Sequence, residues 1–286
     1  MTVLDVIQRS AEFLGKKGVD SPRLQTELLL AHVLREPRLK LYLDFERQLS
    51  GPDLEAVREV VRRRANHEPL QHILGSASFC GLEIQVNRHV LVPRPETELL
   101  AQRAWEFLRG LESPGPAALD FGTGSGCIAI ALASHCPAAQ VQALDISAPA
   151  LVVARDNATR NGVAGRIQFH GGDGFAALPP GSAFDLIVAN PPYIPSDEIA
   201  ALAPEVRDYD PRPALDGGAD GLDFFRRLAA EAAAHLCAAG KLMMEFGDGQ
   251  AERIGEIFVQ HKWVVENVQA DYSGRPRIMT VRPERL

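Results

Sequence analysis

Apolar positions in the first 75 residues recur at helical spacing. Leu24, Leu28, Ala31 and Leu34 fall on one face, with Ser21 placed as an N-cap and Pro22 at the first helical position. Leu54, Val57 and Val61 mark a further helix beginning near Pro52 and Asp53. From Ser78 to Val92 the period drops to two. Leu82, Ile84 and Val86 alternate with polar residues, and Asn87-Arg88 offers a turn before Val90-Leu91-Val92. This predicts a hairpin, stopped by Pro93 and Pro95, and then a helix over 96–108. After a Pro/Gly-rich break at 113–116 strands and helices alternate. Strands are predicted at 117–121, 140–144, 166–170, 184–189, 241–246, 263–269 and 277–281, and helices near 125–135, 148–160, 221–238 and 249–260. Leu222, Phe225, Ala229, Ala232 and Leu236 form one apolar stripe. Such alternation predicts an α/β fold with a parallel sheet covered on both faces.

The chain has 286 residues, enough for two domains at about 150 residues each. The change of period suggests a helical domain over 1–75, a β-hairpin linker over 76–93 and an α/β domain over 94–286. With 46% hydrophobic and 23% charged residues the composition is that of a folded globular protein, not a disordered one. The longest strictly apolar run is Cys127–Ala133, far short of the about 20 residues a membrane span needs. Asp5 interrupts the N-terminus where a secretory leader would be apolar, so a cytoplasmic location is expected.

Residues 1–75 carry 12 basic and 11 acidic side chains, and the remainder 18 and 26. An acidic larger half argues against nucleic-acid binding driven by phosphates. The Arg62-Arg63-Arg64 run reads as a solvated helix face. Cys80, Cys127, Cys136 and Cys237 form no CxxC pair and lie beside no histidine at zinc spacing, so free thiols and no metal are expected. His67 and His72, with Pro69 between them, do not make a shared helical metal face.

Three segments carry chemistry. In Asp120-Phe121-Gly122-Thr123-Gly124-Ser125-Gly126 a glycine-rich turn follows a strand and opens a helix. Glycines permit positive φ and close approach of a ligand to the backbone. Dinucleotide sites, nucleoside sites and plain tight turns all use such turns. Asp145, 23 residues after Gly122 at the end of the next strand, can accept both hydroxyls of a ribose. The G-x-G-x-G spacing, without Arg or Lys to meet a pyrophosphate, favours S-adenosylmethionine over a dinucleotide. The second segment, Asn190-Pro191-Pro192-Tyr193, follows a strand at the edge where open α/β sheets bind ligands. Its prolines remove two N–H donors and leave acceptors, which suits a planar NH2 group. Tyr193 offers a flat face, or else simply joins the core. The third, Pro93-Arg94-Pro95-Glu96-Thr97-Glu98, is compatible with plain helix capping by its glutamates.

Together with Glu68-Pro69-Leu70-Gln71-His72-Ile73-Leu74-Gly75, these segments resemble the protein glutamine N5-methyltransferases that modify class I peptide chain release factors in bacteria. The resemblance covers nearly the whole chain. The Asn-Pro-Pro-Tyr motif alone is shared with enzymes that methylate amino groups of nucleic acid bases; its combination with the other two segments is more specific. Phe121 departs from the smaller aliphatic residue common in the family. Gly174 stands where some members carry an aromatic residue near the adenine.

The resemblance implies a seven-stranded, Rossmann-like methyltransferase sheet with an antiparallel last strand. It also implies S-adenosylmethionine as methyl donor, leaving S-adenosylhomocysteine. Cofactor-binding residues would be Gly122, Thr123, Gly124, Ser125, Gly126, Asp145, Asp173, Gly174 and Asn190. Substrate would meet Asn190, Pro191, Pro192 and Tyr193, of which Asn190, Pro191 and Tyr193 would act in catalysis. The substrate would be the glutamine of a Gly-Gly-Gln loop in a release factor, held by the N-terminal domain, with no direct nucleic-acid or membrane contact. Two rival readings are a nucleic-acid aminomethyltransferase, which needs a basic surface and a base-flipping pocket, and an idle binding module in translation.

Overall fold

The computed structural model describes residues 1–284. Its chain divides into two compact units, Met1–Ser76 with Ala203–Tyr209, and Ala77–Leu202 with the remainder from Asp210 onward.

The first unit is helical, built on α1 (Val3–Lys16), α2 (Pro22–Leu34) and α3 (Gly51–Ala65) with short turns of helix at Arg38–Leu43, Leu70–Leu74 and Pro204–Arg207. Thr2 and Asp5 cap α1 reciprocally: the Asp5 amide donates to Thr2 Oγ1 at 3.1 Å and the Thr2 amide to Asp5 Oδ2 at 3.0 Å. Val3, Ile7, Leu14, Leu29, Leu30, Leu41 and Val57 make its core. Three sequence expectations change here. Ser21 precedes α2 but makes no capping bond, because its own backbone is left-handed (φ 46°). The buried face of α2 is Thr26, Glu27, Leu29, Leu30 and Ala31, while Leu24 is exposed. Buried Glu27 makes that face polar, and its desolvation is offset by Arg23, Arg38 and Tyr42, which all donate to it, at 3.1, 2.9 and 2.8 Å. The arginine run is not uniformly solvated either. Arg64 is buried and donates to Gln25 Oε1 (2.6 Å), the Glu68 carbonyl (3.0 Å) and Glu205 Oε2 (2.7 Å). Arg63 clamps Glu68 with two hydrogen bonds. Glu205 thus ties the short helix Pro204–Arg207 into this unit, aided by Tyr209, whose hydroxyl donates to the Asn66 carbonyl at 3.1 Å.

The second unit opens with a hairpin of β1 (Ser76–Phe79) and β2 (Leu82–Gln85). Its turn is Cys80-Gly81, both left-handed at φ 51° and 76°; Asn87-Arg88 does open a turn, the Val90 amide donating to the Asn87 carbonyl at 3.1 Å, but it leads into coil with Val90 and Val92 buried, not into a strand. Alternation marked the strand correctly, and the hairpin itself turns earlier, at Cys80-Gly81, where Gly takes positive φ without strain. Helix α4 (Pro95–Arg109) follows. A seven-stranded sheet is then built from β3 (Ala117–Phe121), β4 (Gln140–Asp145), β5 (Ile167–Gly171), β6 (Phe184–Ala189), β7 (Leu236–Glu245), β8 (Trp263–Ala270) and β9 (Pro276–Pro283) in the order β5-β4-β3-β6-β7-β9-β8. The first five run parallel; β9 is antiparallel to both its neighbours, so the sheet and its antiparallel last strand are as expected. Helices α5 (Cys127–His135), α6 (Ala148–Arg160), α7 (Asp223–Glu231) and α8 (Ala251–Gln260) complete the layers. The predicted helix 221–238 ends early. A 3-10 turn takes Ala232–His235 and β7 begins at Leu236, so the apolar stripe runs from helix into strand with every member buried.

Side chains alternate across the sheet. Ala118, Leu186 and Val188 join one core with α4, α5 and α6, while Leu119, Phe121, Ile187 and Ala189 join the other with α7 and α8. Both faces are covered, which is why β3 and β6 read as continuous apolar runs. Among the described residues no helix is long and apolar enough to cross a membrane.

Candidate active site

Strand order reverses at β3, whose neighbours are β4 and β6. Ligands of open α/β sheets bind at such a switch point, beyond the carboxyl ends of the strands. Register makes the site. Leu144 pairs with Phe121, Phe121 with Ala189, and Ala189 with Met244, so these residues form one row across the sheet. The next residue of each strand, Asp145, Gly122, Asn190 and Glu245, follows that row. Positions spread over more than 120 residues of sequence meet at one edge.

The glycine turn is held from three sides. Gly122 and Thr123 donate their amides to the Leu144 carbonyl, both at 2.9 Å. Asp145 Oδ2 accepts from the Gly124 amide and Oδ1 from the Ser147 amide, each at 2.8 Å. Asn157, fully buried, donates to the Ser125 carbonyl at 2.9 Å and also bonds the Gln85 backbone in both directions. Gly122, Gly124 and Gly126 all have positive φ (76°, 54° and 82°). They are glycine for two reasons. A Cβ on Gly126 would press on Ala154 and Ile130 at 3.1 Å, so α5 and α6 need it bare; a Cβ on Gly122 or Gly124 would meet nothing within 4 Å and would project into open space. Beneath the turn Asp120 is buried, and its Oδ2 accepts from Thr123 Oγ1 (2.6 Å) and the Ala129 amide (3.0 Å). Burial pushes its carboxyl up to about 7.

A cavity of about 210 Å³ lies over the turn, lined among others by Gly122–Ser125, Asp145, Asp173, Gly174, Asn190 and Pro192. The first and second sequence segments therefore face one space. Pro93, Arg94 and Thr97 line it too, so the third segment is more than a helix cap, and no capping side-chain bond precedes α4. Pro191 is buried, and Tyr193 packs against the second core, its phenol pushed up to about 12 by burial; neither lines the cavity. The Tyr193 carbonyl accepts from Gln250 Nε2 at 2.9 Å. Two cations line the space and both are paired: Arg94 with Asp210 at 2.7 Å, and Arg227 with Asp173 and Glu231. Arg227 lies over Gly174, where a Cβ would collide with its guanidinium. That guanidinium occupies the space beside Gly174.

Two buried side chains stand behind Asn190; Thr97 belongs to the third segment, and only Glu245 lacked any sequence signal as a site residue. Glu245 ends β7, and Thr97 sits in the first turn of α4. Thr97 Oγ1 donates to Glu245 Oε2 at 2.7 Å, and Asn190 Nδ2 donates to Thr97 Oγ1 at 3.1 Å. Burial pushes the Glu245 carboxyl up to about 7. The cysteines are free thiols, Cys127 and Cys136 buried and Cys80 and Cys237 half-buried. Among the described residues no group of three or more His, Cys, Asp or Glu side chains is placed to hold a metal.

A doubly wound sheet with a glycine cradle, an acid after the second strand and an Asn-Pro-Pro edge over one cavity defines a methyltransferase domain. Comparison agrees: the PrmC N-terminal domain family matches residues 5–75 and the methyltransferase small domain family residues 105–203. A release factor glutamine methyltransferase of Geobacter sulfurreducens is 46% identical over 258 residues, 90% of this chain and 88% of that protein. One from Chlorobaculum tepidum is likewise 46% identical, over 88% of this chain and 87% of its own length. A methyltransferase structure from Pyrococcus furiosus shares the fold, with a TM-score of 0.51 at 20% identity, over 71% of this chain and 90% of that one. The chain belongs to the release factor glutamine methyltransferase family.

Proposed function

We propose that this protein transfers a methyl group from S-adenosylmethionine to the side-chain amide nitrogen of the glutamine in the Gly-Gly-Gln loop of class I peptide chain release factors, in the cytoplasm and without contacting nucleic acid. The observation that carries the reading is the single cavity faced by both the glycine turn and Asn190. The open space above Gly122 and Gly124 fits a ligand lying on the backbone, and the Asp145 carboxylate beside it fits a ribose. The paired state of Arg94 and Arg227 suits a donor without phosphates. Asp173 and Gly174 would border the adenine. The donor supplies an electrophilic methyl on a sulfonium.

An amide nitrogen is a poor nucleophile because its lone pair is delocalised, and it gains positive charge as the methyl arrives. The Asn190 side-chain oxygen and the Pro191 carbonyl would accept from its two hydrogens. They would hold it in line and stabilise that charge. Pro192 fixes the backbone of the pair. Tyr193 would pack on the amide plane, which requires its ring to reach the cavity when substrate binds. The proton is then lost to water. Residues 1–75 would supply the surface that grips the release factor.

The test is incubation with radiolabelled S-adenosylmethionine and, separately, a purified release factor, duplex DNA or RNA. Label on the release factor alone is the expected result. Label on nucleic acid favours the base-methylating reading, and label on none favours a binding module.

A further inference from the structure

The proposed role of Asn190 depends on which end of its carboxamide faces the cavity, and three elements settle that orientation. Thr97 comes from α4, Glu245 from the end of β7 and Asn190 from the end of β6. Thr97 and Glu245 are each 2% exposed. Above about pH 7, where Glu245 is ionised, its carboxylate can only accept hydrogen bonds. The Thr97 hydroxyl, 2.7 Å from Glu245 Oε2, therefore spends its one proton on Glu245 and has only lone pairs left for Asn190. The group that approaches Thr97 Oγ1 at 3.1 Å must be the NH2 end of Asn190. The amide nitrogen is thus held on the Thr97 side, and the oxygen is left for the other side of the planar group. Asn190 lines the cavity.

We propose that Thr97 and Glu245 are positioning residues, a buried acceptor pair that locks the Asn190 carboxamide with its oxygen presented to the substrate nitrogen. The proposal rests on the reading above that Asn190 accepts from the substrate amide. It accounts for a buried carboxylate that has no ion pair among the described residues, since a neutral partner in its place could donate as well as accept and would not enforce one orientation. It also gives the Thr of the Pro93–Glu98 segment a role that capping does not supply. An Asn190 turned the other way would present donors to an NH2 group and repel it.

The test uses the full chain at about pH 8.5, above the Glu245 titration, with single-turnover methyl transfer to purified release factor. Thr97→Val removes the hydroxyl at nearly constant volume. It should lower kcat about 10- to 100-fold, the scale of a small misplacement of a reacting pair. The KM for release factor and the calorimetric affinity for S-adenosylmethionine should stay within about 2-fold. Thr97→Ser, which keeps the hydroxyl, should recover most of the rate. Glu245→Gln, isosteric and able to donate, should also lower kcat with cofactor affinity kept; it serves if Thr97→Val does not fold. The deciding measurement is a double-mutant cycle. With Asn190→Ala already present, Thr97→Val should cost no further rate, because there is no carboxamide left to orient. Full multiplicative loss in the double variant would reduce Thr97 to a structural residue and overturn the proposal, as would wild-type kcat in Thr97→Val. If Asn190→Ala itself keeps wild-type kcat, the reading of Asn190 is what fails, and the proposal with it.

Discussion

Replacing Asp145 tests the cofactor site most directly. Its carboxylate has about four acceptor positions. Two are taken by the Gly124 and Ser147 amides at 2.8 Å, which leaves two facing the cavity for the hydroxyls of a ribose. A hydrogen bond to a charged group contributes about 1.5–3 kcal/mol, and 1.4 kcal/mol is about tenfold in affinity. Asp145→Ala should therefore weaken S-adenosylmethionine binding roughly 10- to 100-fold. Asp145→Asn looks conservative but should recover little of this. Whichever way its carboxamide turns, its NH2 faces either the Gly124 or the Ser147 amide, donor against donor. Isothermal titration calorimetry gives the affinities, with thermal unfolding to show that each variant is folded. A 2′-deoxy analogue separates the two duties of the residue: wild type should discriminate against it and Asp145→Ala should not. Unchanged affinity in Asp145→Ala, or equal discrimination by variant and wild type, would refute the placement of the ribose.

Asn190→Ala should leave cofactor affinity nearly intact and lower kcat roughly 10²–10³-fold, the usual effect of removing one preorganised electrostatic partner; Asn190→Asp keeps an acceptor and should retain part of the rate. A chain starting near Ser76 should bind S-adenosylmethionine but methylate whole release factor with a raised KM, although residues 203–209 lose Arg64 and Asn66 as partners; a short Gly-Gly-Gln peptide should be a poor substrate for both forms, and equal kcat/KM on whole release factor would remove residues 1–75 from recognition. Asp120→Asn should flatten the pH dependence of Tm between about pH 4 and 7. The folded carboxyl, pushed up from 3.8 to about 7, holds its proton longer than the unfolded one. Its ionisation thus opposes folding fully above about 7, by on the order of 4 kcal/mol, and that opposition fades as pH falls toward 4. Glu245 acts in the same direction; a Tm profile of Asp120→Asn identical to wild type would contradict this.

What the sequence made legible was local. Period-two and period-3.6 patterns placed the seven strands of the sheet, and residue chemistry marked Gly122–Gly126, Asp145 and Asn190–Tyr193, of which the structure brings Gly122–Ser125, Asp145, Asn190 and Pro192 to one cavity. What it hid depends on distance along the chain. Glu245 reads as the polar end of an apolar strand; only its hydrogen bond to Thr97, 148 residues away, sets it in the site. Asn157 reads as a polar position on a helix, yet its side chain fastens the glycine turn to the hairpin. Ala203–Tyr209 sits in the middle of the α/β sequence and packs with the helical unit through Glu205 and Tyr209. Arg64, one of three consecutive arginines, is buried because three partners arrive from elsewhere. Periodicity reports which face is apolar, and it is silent on polar groups that are buried because a distant partner satisfies them.

The charge of the sheet edge carries the argument one step past the fold, since the same doubly wound plan also serves ligands bearing phosphates. Asp120 and Asp145 lie at the ends of β3 and β4, Asp173 just past β5, and Glu245 at the end of β7. The two arginines that line the cavity are each neutralised by a carboxylate. Asp173 is taken up by Arg227, and Asp120 and Glu245 ionise only near pH 7, so the negative field at the edge comes chiefly from Asp145 and strengthens as the pH rises through 7. A cavity with low-dielectric walls focuses such a field, drawing in a sulfonium and an ammonium while repelling polyphosphate. The acidic balance of residues 76–286 is thus not only a matter of solubility. Under the proposed function it would favour a cationic methyl donor and disfavour a nucleic-acid substrate at the same edge, so that specificity would begin with electrostatics that the composition already displays.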